Sequence, residues 1–363
     1  MILDKIDENL IKLSKDSKEA LKDIYQKIDE VCLYNSDRIL EAFIENRVSY
    51  SDFADINGYG NFDEGRDKLE RIFARVLGCE DALVRSQIMS GTNAIYLGLS
   101  ALLKHGDTLL AISGDPYDSL LEMIGIYGDS NQSLKACGVK YEMIDLVDND
   151  FDDEAIISRV KKGVKVVEIQ RSRGYASRQS LAIAKIERII KKIKETDPKV
   201  IVFVDNCYGE LVEKKEPGHV GADIVVGSLM KNLGGGIATT GGYIAGRKDL
   251  IKDVAERLSA PGIGKDLGAN FNQNINFFKG IFLAPNAVRN ALKTAVFAAY
   301  MLEKLGYQNV DPKFDEERTD IIQTLELGSE EKLVEFSQGI QSSSPIDSFV
   351  RVMSAPMPGY PFN

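Results

Sequence analysis

The sequence predicts an α/β fold in which a mostly parallel sheet is covered by helices on both faces. Seven apolar runs of strand length carry this prediction, and they begin at Ala82, Thr108, Val139, Val164, Val200, Ala222 and Gly242. Most of these runs are separated by segments with helical periodicity, and strands that alternate with helices build parallel sheets. The chain has 363 residues, enough for such a domain and a smaller one beside it.

The composition excludes several classes of protein. The net charge of −10 argues against nucleic acid or an anionic membrane as the main partner. The N-terminal segment interleaves acids with lysines and lacks the apolar core of a signal peptide, and no uncharged run of about 18 apolar residues occurs. We therefore expect a cytoplasmic protein whose partner is a small molecule, with no nucleic acid and no membrane.

A metal site is not expected either. The sequence has four cysteines without C-x-x-C pairs and only two histidines, His105 and His219. Reduced, mostly buried thiols fit this pattern best. Cys207, between two residues of the predicted site, is expected to line that site rather than to react.

The first 50 residues are predicted to form an N-terminal helical arm. Its two helices are Leu3–Val31 and Asp37–Asn46, and Ser36 is a plausible N-cap of the second. A glycine-bearing loop with Tyr59 follows. A further helix, from 66 to 77, has its apolar residues on one stripe and ends at Gly78.

Ser90, Gly91 and Thr92 follow the first predicted strand and begin a helix rich in alanine and leucine. The start of a helix offers free N–H groups and a positive dipole potential, so these residues could bind a phosphate. A serine before a helix is more often only a cap, and the prediction therefore depends on its partners.

Two further loops follow the carboxyl ends of predicted strands. Tyr117 follows the strand 108–113, where its ring could stack on a pyridine ring or simply pack on its own helix. Arg171 and Arg173 follow the strand 164–169, where one of them could bind a carboxylate or phosphate. The alternative is that both arginines pair with surface acids, and the sequence does not decide which of the two binds substrate.

Asp205 and Lys231 form the central pair of the predicted site. Each follows an apolar strand, 200–204 and 222–226, and the carboxyl ends of parallel strands meet at one edge of a sheet. A lysine that forms a Schiff base and an aspartate that keeps a pyridine nitrogen protonated serve pyridoxal phosphate chemistry. Ser228 could reach the phosphate, and Tyr208 could face the ring oxygen O3′. Taken singly, each residue is more often a cap or a solvated side chain.

Competing motifs are missing from the sequence. It contains no GxxxxGK[ST] or GxGxxG nucleotide loop and no GxSxG nucleophile turn. We divide the chain into an arm (1–50), a large cofactor-binding domain (51–280) and a smaller α+β domain (281–363). The smaller domain is predicted to contain a helix from 286 to 305, helices 315–327 and 329–339, and a strand from 348 to 353.

A wider resemblance rests on three segments, VFVDNCYGE (202–210), GADIVVGSLMKN (221–232) and GGGIATTGGY (234–243). With NGYGNFDEGRDKLE (57–70), VRSQIMSGTNA (84–94) and shorter matches, it covers nearly the whole chain. In these segments the chain resembles the aluminium-resistance protein family. These proteins are methionine gamma-lyase-like or cystathionine beta-lyase-like enzymes of pyridoxal phosphate fold type I.

The resemblance implies pyridoxal 5'-phosphate bound as an internal aldimine on Lys231, with Tyr117 stacked on its ring. It also implies that Tyr59 crosses to a neighbouring subunit and reaches the cofactor phosphate there. The protein would then be a homodimer or homotetramer with a shared active site.

The expected reaction is that of a carbon–sulfur lyase acting on a sulfur-containing amino acid. Two alternatives stay open, a pyridoxal phosphate-dependent aminotransferase and a cofactor-binding protein with little turnover. The second follows from the C-terminus, because the resemblance implies that relatives continue beyond PMPGY with strands and an arginine for the substrate carboxylate. The domain 281–363 is accordingly expected to be incomplete.

Overall fold

The computed structural model describes residues 6–59 and 63–355. Its strands are β1 (Asp81–Arg85), β2 (Thr108–Ala111), β3 (Lys140–Met143), β4 (Leu146–Val147), β5 (Asp150–Phe151), β6 (Val166–Gln170), β7 (Ile201–Asp205), β8 (Ile224–Ser228), β9 (Gly242–Gly246), β10 (Val310–Asp311) and β11 (Thr324–Leu325). Its helices are α1 (Glu8–Ala20), α2 (Lys22–Glu45), α3 (Glu64–Leu77), α4 (Gly91–Leu102), α5 (Asp118–Ile124), α6 (Asp153–Val160), α7 (Ile183–Thr196), α8 (Lys248–Leu258), α9 (Asn274–Lys304) and α10 (Glu330–Ser342).

Seven strands form one sheet in the order β1-β9-β8-β7-β6-β2-β3. The five strands from β8 to β3 run parallel, and β9 is antiparallel to both of its neighbours. All seven coincide with the predicted strand segments. The prediction of a mostly parallel seven-stranded sheet is confirmed.

Helices cover both faces of this sheet. On one face, Phe73 of α3 and Ile186 of α7 pack in a core with inward residues such as Val202. On the other face, Ile95 of α4 and Val254 of α8 pack in a second core. Because both faces are buried, the strands read as nearly continuous apolar runs, which is why the sequence revealed them.

Local capping sets where the helices beside the site begin. The Asp63 carboxylate accepts from the N–H of Arg66 at the start of α3, which ends at Gly78 in the left-handed conformation (φ 72°). The Ser90 hydroxyl accepts from the N–H of Asn93 at the start of α4. These caps fix the two loops that flank β1.

The chain divides into two compact units. The larger comprises residues 22–294 and 317–322 and contains the seven-stranded sheet. The smaller comprises residues 1–21, 295–316 and 323–363, and its described part holds α1, the end of α9, the β10–β11 pair and α10. The predicted domain borders at 50/51 and 280/281 stay a prediction.

Three sequence-based element predictions are wrong. Ser36 is not an N-cap, since α2 runs through it, and the neighbouring Asn35 and Arg38 donate to main-chain oxygens of the 211–214 loop. The segment 315–327 is not a helix, because Thr324–Leu325 pairs as β11 with β10. Within the described residues 348–353 there is no strand, and the PMPGY motif lies outside the described residues. The α10 prediction holds, with the Ser329 hydroxyl as its cap.

None of the helices in the described ranges is both long enough and apolar enough to span a membrane.

Candidate active site

Asp205 ends β7 at the carboxyl edge of the sheet and is buried. Its Oδ1 accepts from the N–H of Cys207 at 3.0 Å, and its main-chain oxygen accepts from the N–H of Arg171 at 3.1 Å. The register pairs Asp205 with Gln170 of β6 and Val226 of β8. The Asp205 carboxylate is therefore held at the end of β7, the middle one of three neighbouring parallel strands.

Lys231 follows β8 and brings an amine to the same edge. Its Nζ lies 3.9 Å from the centre of the Tyr208 ring. Tyr208 has a left-handed backbone (φ 69°), a conformation that non-glycine residues rarely adopt and that often marks functional sites. Burial alone would lower the pKa of Lys231, but the negative charges of Asp205 and further neighbours raise it overall.

Gly91, at the start of α4, packs against Cys207 and Ser228, which lie in the loops that carry Asp205 and Lys231. A Cβ at Gly91 would lie 3.2 Å from Cys207 Sγ and 3.3 Å from Ser228 Cβ, so the start of α4 touches both neighbouring loops. The Ser228 hydroxyl is buried and accepts from the N–H of Met230 at 3.1 Å. The start of α4, where helix N–H groups can bind an anion, therefore lies next to Ser228, an arrangement that suits a phosphate.

Tyr117 joins the start of α4 to the end of β6, the strand next to Asp205. Its hydroxyl lies 2.9 Å from Thr92 Oγ1, and its N–H donates to Gln170 Oε1 at 3.1 Å. Burial first, and then the Asp205 charge, raise the pKa of the Tyr117 phenol. Tyr117 therefore carries its proton at neutral pH.

Cys207 is buried beside Asp205. Burial raises the pKa of its thiol well above the usual value, and the Asp205 carboxylate raises it further. A thiol held in its neutral form is a poor nucleophile, which agrees with the expectation that Cys207 lines the site.

The two arginines after β6 are both buried and hydrogen-bonded to neighbouring loops. Arg171 is completely buried, and its guanidinium donates to Asn206 Oδ1 (2.8 Å), Gly209 O (2.8 Å) and Glu213 Oε2 (2.7 Å). These contacts hold Arg171 against the loop that follows β7, and a substrate role for Arg171 stays a prediction.

Arg173 is also buried, and its side chain donates to the main-chain oxygens of Ala176 (3.1 Å) and Ser177 (3.2 Å). Its own N–H donates to the Asp320 carboxylate at 3.2 Å. These contacts hold the 173–177 turn, and a substrate role for Arg173 stays a prediction.

Tyr59 lies in the loop that precedes α3, and 83% of its surface is exposed. Its N–H donates to Asn57 Oδ1 at 3.0 Å. The next residues, 60–62, lie outside the described part of the chain. Its predicted contact with a neighbouring subunit stays a prediction.

Two buried glutamates at this edge were missed by the sequence analysis. Burial and the Asp205 charge raise the pKa of Glu168 in β6 to about 8. Burial raises the pKa of Glu210 to about 8, and Glu210 accepts from the Tyr243 hydroxyl at 2.8 Å. A charged residue inside the apolar run VVEIQ was the available signal for Glu168, whereas the Glu210–Tyr243 contact joins residues that are far apart in the sequence.

The residues at this edge fit pyridoxal phosphate. Asp205 offers a buried carboxylate for a ring nitrogen, Lys231 an amine, and the start of α4 with Ser228 an anion-binding end. With the strand order of the sheet, they define a fold-type I pyridoxal phosphate-dependent enzyme.

Comparison with known proteins agrees with this class. The family model for methionine gamma-lyase matches residues 10–363. A Bacillus subtilis protein named YnbB is 45% identical over 355 residues, which are 97% of this chain and 84% of that protein. The chain belongs to the methionine gamma-lyase family, and the resemblance to aluminium-resistance proteins is confirmed.

Solved structures extend the comparison. A Clostridium novyi structure described as a carbon–sulfur lyase involved in aluminum resistance is 42% identical, has a TM-score of 0.92, and is matched over 95% of this chain and 83% of its own. A pyridoxal-5'-phosphate-dependent protein from Escherichia coli, 18% identical with a TM-score of 0.57, shares the fold over 78% of this chain and 72% of its own. The protein is a carbon–sulfur lyase-type enzyme, and its family implies pyridoxal phosphate as the cofactor.

Proposed function

We propose that this enzyme cleaves a carbon–sulfur bond in a small sulfur-containing amino acid, with pyridoxal phosphate attached covalently to Lys231. The observation that carries the proposal is the placement of the Lys231 amine, 3.9 Å from the Tyr208 ring, at the same sheet edge as the buried Asp205. An amine and a carboxylate at neighbouring strand ends meet the two requirements that this cofactor makes of a protein.

Asp205, Tyr117 and the first turn of α4 would hold the cofactor. Asp205 would bind the protonated ring nitrogen, and Tyr117 would stack on the ring. Ser90, Gly91, Thr92 and Ser228 would bind the phosphate, and Tyr208 would face the ring oxygen. When bound, the cofactor supplies an electron-withdrawing ring that acidifies the Cα–H bond of an amino acid.

Lys231 and Tyr117 would move protons. The free Lys231 amine would take the proton from Cα and return it later as an ammonium. The Tyr117 phenol, protonated because burial raises its pKa, could give a proton to the departing sulfur. A sulfur leaving group departs more easily as a thiol than as a thiolate in a buried site.

Product analysis tests the reaction. The chain loaded with pyridoxal phosphate is offered cystathionine, methionine and cysteine without an added keto acid. We expect a thiol or sulfide, ammonia and a keto acid in equal amounts from at least one of them. An aminotransferase would instead release no thiol and would need an added keto acid as amino acceptor. That result would replace the proposal by the aminotransferase alternative.

We also propose a homodimer or homotetramer with a shared site. The support is Tyr59, whose exposed side chain lies on a loop beside α3 and is available to a second copy. Soluble oligomers of one chain usually have closed symmetry. In a two-fold dimer, the Tyr59 of each subunit would therefore contact the other subunit in the same way.

A further inference from the structure

The loop of residues 54–59 is mostly exposed, yet its main chain is held in place. Tyr59 has 83% of its surface exposed, whereas the preceding Gly58 is buried. Exposed loops are ordinarily among the more mobile parts of a fold. Here a second segment, residues 265–270, is hydrogen-bonded to the loop, and we call it the anchor segment. The proposed reaction gives this segment no role.

Asn270 makes most of the contacts between the anchor segment and the loop, and only 7% of its surface is exposed. Its Nδ2 donates to the main-chain oxygen of Ala54 at 2.9 Å, and its Oδ1 accepts from the N–H of Ile56 at 3.3 Å. Its own N–H donates to the main-chain oxygen of Ile56 at 3.2 Å. A buried asparagine whose side-chain donor and acceptor both bind the main chain of one loop favours one conformation of that loop.

Gly58 allows the closest approach of the two segments. Its main-chain oxygen accepts from the N–H of Gly268 at 3.3 Å. Gly58 has a φ of 65°, and a Cβ there would lie 2.0 Å from the main-chain oxygen of Gly268. A side chain at this position would collide with the anchor segment, so glycine is required. The contact ends one residue before Tyr59 and therefore sets the direction in which the Tyr59 side chain leaves the loop.

The anchor segment is itself attached to the sheet. Arg85, at the end of β1, donates from Nη1 to the main-chain oxygen of Leu267 at 3.2 Å and from Nη2 to that of Lys265 at 3.1 Å. Its Nε donates to the buried carboxylate of Glu70 in α3 at 2.6 Å, and Lys265 Nζ lies 3.0 Å from the other oxygen of Glu70. Because β1 also leads into the start of α4, the loop 54–59 and the proposed phosphate site are fixed to the same strand.

We propose that Asn270 is a positioning residue for Tyr59: its side chain holds the loop 54–59 on the anchor segment, so that the exposed Tyr59 ring keeps one direction. This inference deepens the proposed shared site, on which it rests for the role of Tyr59. A side chain that is already fixed in its binding conformation loses less conformational freedom when a second copy of the chain binds. Asn270 acts through the loop and touches neither cofactor nor substrate.

Hydrogen exchange in the cofactor-free protein tests the positioning. Mass spectrometry follows the peptides that contain Ile56 and Gly268, whose N–H groups are bound between the loop and the anchor segment. Asn270→Ala removes both side-chain hydrogen bonds to the loop, so we expect these amides to exchange about 10-fold faster or more. Unchanged exchange in a folded Asn270→Ala protein would overturn the proposal.

Asn46→Ala is the matched control. The Asn46 side chain also makes two hydrogen bonds, since its Nδ2 donates to the main-chain oxygen of Ala42 at 2.8 Å and its Oδ1 accepts from Arg71 Nε at 3.0 Å. Neither bond joins the loop 54–59, so we expect the same two peptides to exchange as in the unchanged protein. An equal increase in both variants would reflect a general loss of stability and would also overturn the proposal.

Gly58→Ala is a second variant, used if Asn270→Ala does not fold. The added methyl group collides with the main chain of Gly268 and separates the loop from the anchor segment while Asn270 stays intact. We expect the amides of Ile56 and Gly268 to exchange faster in this variant as well. Unchanged exchange would show that the loop is not held by the anchor segment, which would contradict the proposal.

A double variant distinguishes positioning of Tyr59 from a merely structural role. A hydrogen bond to a charged phosphate is strong, so Tyr59→Phe should weaken the binding of pyridoxal phosphate about 10-fold or more, measured by fluorescence titration. Asn270→Ala should also weaken it, and the double variant should bind the cofactor no more weakly than Tyr59→Phe alone. Losses that multiply in the double variant would overturn the proposal.

Failure of the proposed shared site would be seen separately. In that case Tyr59→Phe would bind pyridoxal phosphate as the unchanged protein does. The exchange measurement uses no cofactor and would still decide whether Asn270 holds the loop of Tyr59.

Discussion

The hydroxyl groups of Thr92 and Tyr117 lie 2.9 Å apart and join the anion-binding start of α4 to the residue expected to stack on the cofactor ring. Ser119 Oγ lies 3.4 Å from the same Thr92 oxygen. Thr92 therefore lies between the residues expected to bind the cofactor phosphate and the residue expected to stack on the cofactor ring.

Replacing Thr92 by valine keeps the side-chain shape and removes this hydroxyl. One neutral hydrogen bond contributes about 0.5–1.5 kcal/mol, so we expect pyridoxal phosphate to bind about 2- to 10-fold more weakly, measured by fluorescence titration. Ser119→Ala, which removes the more distant hydroxyl, is the control and should bind the cofactor as the unchanged protein does. If all three proteins bound pyridoxal phosphate with equal affinity, Thr92 would have no role in cofactor binding.

Arg171 is predicted to stabilise the fold rather than to bind substrate. Its guanidinium is completely buried between Asn206, Gly209 and Glu213, and Glu216 lies 3.6 Å away. Removing one partner of a buried ion pair leaves a charge uncompensated, so Arg171→Met should lower the free energy of unfolding by about 3–5 kcal/mol.

Denaturant unfolding measures this loss, with Arg188→Met as the control. Arg188 pairs with Asp150 and is 40% exposed, so its loss should change the free energy of unfolding by less than about 1 kcal/mol. An Arg171→Met protein of unchanged stability that binds amino acids more weakly would restore the substrate role that the sequence suggested.

Glu168 is predicted to make stability depend on pH. Burial and the Asp205 charge raise the pKa of its carboxyl from 4.5 to about 8 in the folded protein. Between these values the folded state keeps a proton that the unfolded chain releases, so the free energy of unfolding falls as the pH rises. Relative to Glu168→Gln, the unchanged protein should lose up to about 1.4 kcal/mol per pH unit across this window.

Urea unfolding of the cofactor-free proteins at several pH values checks this difference. Glu142→Gln is the control, because the hydrogen bond from Arg159 lowers the pKa of Glu142 and it is already ionised over the window. That variant should follow the pH dependence of the unchanged protein. Parallel curves for Glu168→Gln and the unchanged protein would show that Glu168 is not protonated in the folded state.

The shared site can be tested with mixed subunits. Lys231→Ala subunits mixed with Tyr59→Phe subunits should regain lyase activity, since each hybrid dimer would contain one site with both residues intact. Lys231→Ala mixed with Asp205→Asn is the control, because these two residues lie at one sheet edge of the same chain and no intact site can form. Hybrids that form but regain no more activity than the control would show that Tyr59 acts within its own subunit or not at all.

The sequence was sufficient for the sheet and for the positions of Asp205 and Lys231 at its carboxyl edge. Strands buried on both faces are apolar throughout, so their ends, and with them Asp205 and Lys231, stand out as polar residues. The network around Arg171 could not be seen in the same way. Its partner Glu213 lies in a loop 42 residues later, and only the fold brings the two charges together.

Local signals also failed where tertiary contacts outweighed them. Ser36 has the chemistry of a cap, but buried contacts of Asn35 and Arg38 with the 211–214 loop favour a continuous α2. The Glu210–Tyr243 pair depends on the alignment of β8 with β9, which sequence spacing does not reveal.

The most direct test of the account asks which lysine holds the cofactor. The protein is incubated with pyridoxal phosphate, reduced with borohydride, digested and analysed by mass spectrometry, alongside Lys231→Ala and the exposed-lysine control Lys279→Ala. We predict a visible absorbance and a label on the Lys231 peptide in the unchanged protein and in Lys279→Ala, with both lost in Lys231→Ala. A Lys231→Ala protein that still traps the cofactor at another specific lysine would contradict the account.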